Sequence, residues 1–339
     1  MDFALNEEQK AFVATMKEFC EREVDRKAMA ELADQPFPPN ATKQDLMDRM
    51  PWDIISKAHD VGLRQLIVPK EYGGGGFGIK GNWVTITALA EAAGYYGGQV
   101  ARLLTIPWKH CSNLTEAPKE VQDTIFKNFM SNRKTMIATS TTEADHGSDL
   151  LLPYDAPGAG KVVAVQDGDY WVINGEKMFC TAGGVSDYLV LSTRTDKDGP
   201  WSKSMTQFLI DTSQPGWSVA RVNDMMGNEI TPNVQMRFED YRVHKNMMIG
   251  ELNQGFMPLR SHLASKNIHF MASLGDTIRV WEEIRDHAKT RIQGGKPIIQ
   301  HANVGMLVAE GDCLLRNARL QQYQFAWECD EEKPGTRVD

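Results

Sequence analysis

The stretch 136–194 carries small hydroxyl residues and glycines at positions where they could contact a ligand. They are Thr139, Thr141, Thr142, Gly147, Ser148 and Thr181. Hydroxyl groups donate and accept hydrogen bonds, and glycine allows a ligand to approach the backbone closely. These residue types predict a binding surface for a flat or anionic ligand.

The same stretch contains the pattern of short strands. Apolar runs at 162–165, 170–173 and 188–192 are separated by Gly, Asp and Asn, which is typical of antiparallel strands with tight turns. Asn174-Gly175 predicts a hairpin turn, because both residues tolerate positive φ. The hydroxyl residues are therefore expected to lie on neighbouring hairpins.

The flanking segments are predominantly helical. Asn6 and Gln9 form a predicted capping box at the first helix. Further strands are predicted at 206–210 and 217–222 and as a pair at 234–238 and 241–243, and helices at 255–291 and 299–327. The expected fold class is α+β, with an N-terminal helical domain (1–135), a middle antiparallel β domain (136–245) and a C-terminal helical bundle (246–339).

Composition limits the possible functions. The chain has 339 residues and a net charge of −8, without a basic block that would bind nucleic acid. No apolar run is long enough to cross a bilayer, and the N-terminus lacks a secretory pattern. Five scattered cysteines without a CxxC motif predict reduced thiols in a cytoplasmic protein, with no metal site. Gly73, Gly75 and Gly78 match G-x-G-x-x-G, but the preceding Pro69 disfavours the strand that a dinucleotide fold requires.

Two motifs together resemble those of the acyl-CoA dehydrogenase family. TTEADHGSD resembles the family's T-E-P pattern leading to G-S-D, and INGEKMFCTAGG resembles its I-N-G-x-K-x-[WF]-x-T signature. The glycine loop GLRQLIVPKEYGGGGFG and the order helical, β, helical also match, from about residue 3 onward. The resemblance implies an FAD-dependent α,β-desaturation of an acyl-CoA thioester by a homotetramer or homodimer, with an electron acceptor such as an electron-transfer flavoprotein.

The resemblance also implies roles for individual residues. Thr142 should bond near flavin N5, and Phe179 should lie against the ring. The other implied FAD-binding residues are Thr139, Thr141, Gly147, Ser148, Thr181 and Arg291, the last of which should pair with the pyrophosphate of a neighbouring subunit's FAD. Ser148, His146 and Asn267 are the implied substrate-binding residues.

The chain departs from the family pattern at the catalytic base. In most members a Glu lies in a final helical segment, and this chain stops at Asp339 without one, so the C-terminal part is expected to be missing. A minority carry the Glu on the long helix, where Lys266 stands here. Asn267 stands at the next position, where the family usually has Arg. Ala264 stands where an Asp is common, and Ala144 replaces the proline of the T-E-P pattern.

Three explanations for these departures stay open. The first explanation is that the chain is a C-terminally shortened form of a normal enzyme, and the incomplete helical bundle favours it. Alternatively, it is a divergent CoA-thioester flavoprotein, for example a desulfinase-like one. Finally, it is a non-catalytic subunit of a mixed oligomer. The catalytic residue itself is left unassigned.

Four other side chains are of types that could have chemical roles. Glu143 is expected to be a structural hydrogen-bond acceptor rather than a base. His146 lies inside the ligand-facing motif and is a candidate contact to flavin or substrate, against the alternative of a loop histidine facing water. His262 and His269 lie seven residues apart without ligand partners, so they are expected to face solvent or another subunit.

Overall fold

The computed structural model describes residues 4–77, 81–112, 114–115, 117–151, 158–256 and 265–331. Helices fill the segment before the sheet. They are α1 Glu7–Glu23, α2 Arg26–Ala33, α3 Lys43–Asp48, α4 Trp52–Asp60, α5 Trp83–Gly97, α6 Val100–Ser112 and α7 Lys119–Ser131. The capping box of α1 is confirmed, because Asn6 Oδ1 accepts from Gln9 N–H at 2.9 Å and Gln9 Oε1 accepts from Asn6 N–H at 3.0 Å. The glycines after Tyr72 follow a short 3-10 turn rather than a strand.

Helix α6 is an element that the sequence patterns did not indicate. It contains Pro107, a residue that ordinarily disrupts a helix interior. Its apolar side chains are nevertheless buried, among them Leu103, Leu104 and Ile106. Burial of that face therefore stabilises α6 despite the proline.

The strands form one mixed sheet. They are β1 Ile137–Ser140, β2 Val163–Asp167, β3 Tyr170–Thr181, β4 Tyr188–Arg194, β5 Met205–Asp211, β6 Trp217–Val222, β7 Asn233–His244 and β8 Met248–Ile249. Their order is β6-β7-β3-β2-β4-β5-β8, with β1 also paired to β4. The prediction of purely antiparallel strands is wrong at β4, which pairs in parallel with β1 and β2.

Two local predictions within the sheet are also wrong. Asn174-Gly175 lies inside β3, at a register shift against β7, and the β2–β3 turn is instead Gly168-Asp169. Asn174 exchanges hydrogen bonds with Asp240 of β7 at 2.9 and 3.1 Å, so cross-strand pairing uses the dipeptide as a bulge. The predicted strand pair at 234–238 and 241–243 is the single strand β7.

Two long helices follow the sheet. They are α8 Lys266–Thr290 and α9 Ala302–Asp330, joined by a small hairpin of β9 Ile292–Gln293 and β10 Lys296–Pro297. Residues 257–264 of the predicted helix 255–291, including His262 and Ala264, lie outside the described residues. Within the described part of the chain, no helix is both long and apolar enough to cross a membrane.

Helix α5 connects the two helical segments. Glu91 of α5 accepts hydrogen bonds from Arg319 Nε at 2.5 Å and Tyr323 OH at 2.7 Å, both on α9. Gly94 of α5 lies against the backbone of Ala272 in α8, so closely that a Cβ on Gly94 would be 1.8 Å from the Ala272 carbonyl oxygen. Backbone contact between α5 and α8 therefore fixes where α8 begins relative to the sheet.

Candidate active site

The two motif stretches are joined by direct hydrogen bonds. Met178 N–H donates to the Thr142 carbonyl oxygen at 2.8 Å, and Lys177 Nζ donates to the Thr141 carbonyl oxygen at 2.9 Å. The expectation that these stretches are neighbours is therefore met.

A cleft of about 190 Å³ lies between this part of the sheet and two helices. Residues on α6 and at the start of α8 form its helical wall. The predicted ligand-binding residues that line it are Thr139, Thr141, Thr142, Gly147, Phe179 and Thr181. The fold thus brings residues from both motifs to one concave surface.

The four threonines differ in their hydrogen bonding. Thr139 Oγ1 lies 2.8 Å from His110 Nδ1, Thr141 Oγ1 lies 3.3 Å from Ser192 Oγ, and Thr181 Oγ1 accepts from Asn233 at 3.1 Å. Thr142 makes no side-chain hydrogen bond to any described residue. Its hydroxyl is therefore available to a ligand in the cleft.

Phe179 is held in an unusual conformation at the edge of the cleft. Its φ is 54°, and 52% of its surface is exposed. It lies between Lys177 and Cys180, where the pairing of β3 with β7 shifts register. Left-handed backbone is costly for a bulky residue and occurs where the surrounding structure imposes it, often at functional sites. The bulge presents an aromatic face to whatever occupies the cleft.

Glu143 anchors the loop that carries the threonines. Its carboxylate accepts from Lys177 Nζ at 2.8 Å and from the backbone N–H groups of Lys161 and Val162 at 2.8 and 3.1 Å. Burial by itself raises the pKa of Glu143, but the buried Lys177 ammonium and these donors hold the pKa below its ordinary value. A carboxylate with all these partners is a structural acceptor, as expected, rather than a base.

The loop after Glu143 is ordered by Asp149. Its carboxylate accepts from Gly147 N–H at 2.7 Å, and its other oxygen lies 2.7 Å from His146 Nδ1. The His146 bond lowers the pKa of Asp149. His146 and the exposed Ser148 are not among the residues that line the cleft. The pair His146–Asp149 instead positions the backbone of Gly147, which does line it.

Asn267 and Arg291 also lie outside the cleft lining. Asn267 is buried and donates to Thr87 Oγ1 of α5 at 3.0 Å. Arg291 is exposed and caps the C-terminal end of α8, 25 residues beyond Lys266. At a rise of about 1.5 Å per residue, that separation is roughly 37 Å, too far for Arg291 to reach the cleft of its own chain.

Sequence reasoning missed the charged residues of the helical wall. Arg102, Lys109 and His110 come from the unpredicted helix α6, so no motif pointed to them. Lys266 and His269 come from the first turn of α8. The expectation that His269 faces solvent or another subunit is wrong, because it is 9% exposed and burial lowers its pKa well below the ordinary value. None of the described residues that line the cleft is Asp or Glu.

Lys109, on the helical wall of the cleft, has a lowered pKa whose effect on stability can be tested. Burial, together with Arg102 and Lys266, lowers the pKa of Lys109 from 10.5 to about 8. The unfolded chain therefore binds the proton of the Lys109 ammonium more tightly than the folded protein does. As a result, Lys109 lowers the free energy of unfolding at pH values below 8. That cost disappears as the pH rises from 8 to 10.5.

Replacing Lys109 with Met is therefore expected to stabilise the protein at pH 7. Because part of the side chain reaches the solvent of the cleft, we expect a gain of about 1–2 kcal/mol in the free energy of unfolding. Urea unfolding at pH 7 and pH 9.5 measures it, with Lys197→Met at an exposed lysine as control. A gain that grows with pH would contradict the assignment.

Comparison with known proteins identifies the family to which this arrangement of helical, β and helical segments around one cleft belongs. Models of the N-terminal, middle and C-terminal domains of acyl-CoA dehydrogenase match residues 25–123, 138–241 and 253–338. The 3-(aryl)acrylate reductase of Clostridium sporogenes is 29% identical over 91% of this chain and 80% of its own length. The cyclohex-1-ene-1-carbonyl-CoA dehydrogenase of Syntrophus aciditrophicus is 30% identical over 93% of this chain and 71% of its own length.

The solved structures agree on the fold. Butyryl-CoA dehydrogenase from Megasphaera elsdenii superposes with a TM-score of 0.82 at 22% identity, covering 99% of this chain and 83% of that one. The chain belongs to the acyl-CoA dehydrogenase family and is an oxidoreductase of that type. The match at 253–338 shows that the family's C-terminal domain is represented here, which corrects the expectation that this part is missing.

Proposed function

We propose that this chain binds FAD in the cleft and oxidises an acyl-CoA thioester to its α,β-unsaturated product. The observation that carries the proposal is the hydrogen-bonded junction of the two motifs, which puts the free Thr142 hydroxyl and the exposed face of Phe179 on one concave surface. A flat heterocycle with polar edges suits such a surface, because apolar contact and a few placed hydrogen bonds together fix its orientation.

Each residue of the sheet side has a proposed task. With FAD bound, Thr142 would donate near flavin N5 and Phe179 would pack against the ring. Thr139, Thr141, Gly147 and Thr181 would contact the remaining polar edges and the chain of the cofactor, and Ser148 would do so from outside the cleft lining. Bound FAD supplies the hydride acceptor for the β-hydrogen of the substrate. The protein aligns the thioester and keeps bulk water out.

A direct test uses the flavin spectrum. Protein reconstituted with FAD is mixed with a series of straight-chain acyl-CoAs without oxygen, and flavin absorbance is followed. Bleaching of the visible flavin absorbance indicates hydride transfer. Protein that retains no FAD after reconstitution would contradict the proposal.

Thr142→Val is expected to weaken FAD binding about tenfold. The change removes one hydrogen bond worth on the order of 1 kcal/mol, or slightly more, while keeping the side-chain shape. Isothermal titration of the flavin-free protein with FAD measures the affinity. The exposed Thr15 on α1 offers the matched control Thr15→Val, which should bind FAD as the parent does. Equal affinities for both variants would remove Thr142 from the site.

One observation favours a second candidate function. Among the described residues the cleft contains Lys266 at the position where some members carry the catalytic Glu, and it contains no carboxylate. A divergent CoA-thioester flavoprotein, desulfinase-like for example, or a non-catalytic subunit of a mixed oligomer, would not need that base. A shift of the flavin spectrum on adding acyl-CoAs, without bleaching, would favour the non-catalytic subunit.

We also propose a homo-oligomer, a dimer or tetramer. Exposed apolar side chains are frequent on α8 and α9, where they include Val280, Ile284, Met306, Leu307, Leu314 and Leu320. Exposed apolar side chains concentrated on two packed helices are typical of interaction sites. Arg291, which cannot reach its own cleft, would then contact the FAD pyrophosphate of a neighbouring subunit. Sedimentation velocity tests this, and a monomer at micromolar concentration would contradict it.

Several finer assignments complete the proposal. The domains are 1–135, 136–245 and 246–339, and the reduced protein passes electrons to an acceptor such as an electron-transfer flavoprotein. His146, Ser148 and Asn267 do not line the cleft, and their proposed roles toward the acyl-CoA are exerted through their neighbours, His146 through its bond to Asp149. Five scattered cysteines without a CxxC motif support a cytoplasmic location. If His146→Ala leaves FAD content and turnover unchanged, that residue has no role at the site.

A further inference from the structure

The charged residues on the helical wall of the cleft all have the same sign. Arg102 and Lys109 of α6 and Lys266 of α8 line it together. No described carboxylate lies within ion-pair distance of these three side chains. Buried or half-buried cations are normally paired with an anion, because desolvation penalises an unpaired charge.

The unpaired charge changes the local electrostatics. Burial lowers the pKa of Arg102, and burial with Arg102 and Lys266 lowers that of Lys109 to about 8. Arg102 Nε is also buried without a hydrogen-bond partner among the described residues. His269, at the same wall, is neutral, so it adds a polar group and no compensating charge. An anion placed here would supply both the missing charge and the missing acceptor.

The position of these cations within the cleft indicates which part of a ligand they meet. The flavin-binding surface proposed above belongs to the sheet, with Thr142 and Phe179. Arg102, Lys109 and Lys266 belong to the helices across the cleft from it. A substrate bound between the sheet and these helices would lie beside the flavin ring, and its acyl group would lie near the cations.

We propose that the acyl group of the substrate carries its own anionic group, a carboxylate or an acidic sulfur group, which Arg102, Lys109 and Lys266 bind. This inference rests on the proposed function, because it identifies the class of acyl-CoA that enters the same cleft. An uncharged aliphatic chain would leave the partly buried Arg102 and Lys109 without a counter-charge, with the exposed Lys266 beside them. An anionic acyl group removes that penalty, so the cations select for it.

Two acyl-CoAs of equal carbon number test the proposal. Glutaryl-CoA ends in a carboxylate and valeryl-CoA ends in a methyl group. Titration calorimetry on the FAD-loaded protein and on the flavin-free protein measures both affinities. We expect glutaryl-CoA to bind at least tenfold tighter than valeryl-CoA, and the difference to shrink as salt is raised. Equal affinities, or a preference for valeryl-CoA, would overturn the proposal.

Variants at Lys109 test whether this side chain is responsible for the preference for glutaryl-CoA. Lys109→Met should reduce the preference for glutaryl-CoA about tenfold or more, and Lys109→Arg should keep it. Lys289→Met, near the far end of α8, is the matched control and should keep the preference as well. If Lys109→Met instead weakens free CoA as much as glutaryl-CoA, the cations bind the phosphates of CoA and the proposal is wrong.

The outcomes separate this proposal from the function on which it rests. Flavin bleached by valeryl-CoA with no preference for glutaryl-CoA would keep the oxidoreductase function and reject the anionic acyl group. Preferential binding of glutaryl-CoA by protein that never retains FAD would reject the flavin-dependent function and keep the anion site.

Discussion

Replacing Glu143 with Ala is expected to lower the free energy of unfolding by about 3–5 kcal/mol, because it leaves the buried ammonium of Lys177 without a counter-charge. Lys177 lies 2.8 Å from the Glu143 carboxylate, and both side chains are almost completely inaccessible to solvent. The substitution also removes the acceptor of two backbone N–H groups, those of Lys161 and Val162. Urea unfolding followed by circular dichroism measures the loss.

The double variant Glu143→Gln with Lys177→Met provides the control for this prediction. It removes both charges together and keeps an amide oxygen as acceptor for one of the two backbone donors. We expect it to be considerably more stable than Glu143→Ala, since replacing both members of a buried ion pair is often close to neutral. A double variant as unstable as the single one would mean that the backbone hydrogen bonds, not the ion pair, dominate.

The same ion pair has a consequence for pH. The pKa of Glu143 is lower in the folded protein than in the unfolded chain. Its contribution to the free energy of unfolding is therefore fully present at pH values above the unfolded pKa. That contribution is lost as the pH falls through the folded pKa. Because Glu143 anchors the loop of Thr141 and Thr142, the FAD proposed to bind there is expected to be released when acid unfolds the middle strands.

Gly275→Ala is the second substitution with a large expected effect. A Cβ at this position of α8 would lie 2.1 Å from the carbonyl oxygen of Glu91 and 2.9 Å from the backbone nitrogen of Tyr95, both in α5. Alanine is the better helix former by about 1 kcal/mol, so propensity alone predicts stabilisation. Overpacking against rigid backbone typically costs 1–3 kcal/mol or more, and here α5 and α8 must separate. We expect the steric effect to prevail and the melting temperature to fall.

The separation of α8 from α5 in Gly275→Ala is also expected to change the shape of the cleft. Lys266 and His269 lie two turns or so before Gly275 on the same helix, so a shift of α8 moves the wall that they form. Thr277→Ala, at an exposed position of α8, is the control and should change stability by no more than about 0.5 kcal/mol. If Gly275→Ala raised the melting temperature, the backbone contact between α5 and α8 would not be as close as described.

The sequence by itself determined the features that depend on neighbours in the chain. The capping box of Asn6 and Gln9 forms because its two hydrogen bonds join residues three apart. The motifs around Thr142 and Phe179 identified the family, since their residue types and order are visible in the sequence. The helical, β and helical segments followed from local apolar periodicity.

Only the tertiary structure decided the features that depend on distant residues. Asn174-Gly175 has the composition of a turn, but pairing with β7 makes it a bulge inside β3. His269 and Lys109 belong to no motif in the sequence, and they share a wall of the cleft because α6 and α8 converge there. The physical reason is that burial, charge pairing and backbone contact arise between elements far apart in the chain. Local spacing does not encode which of those elements meet.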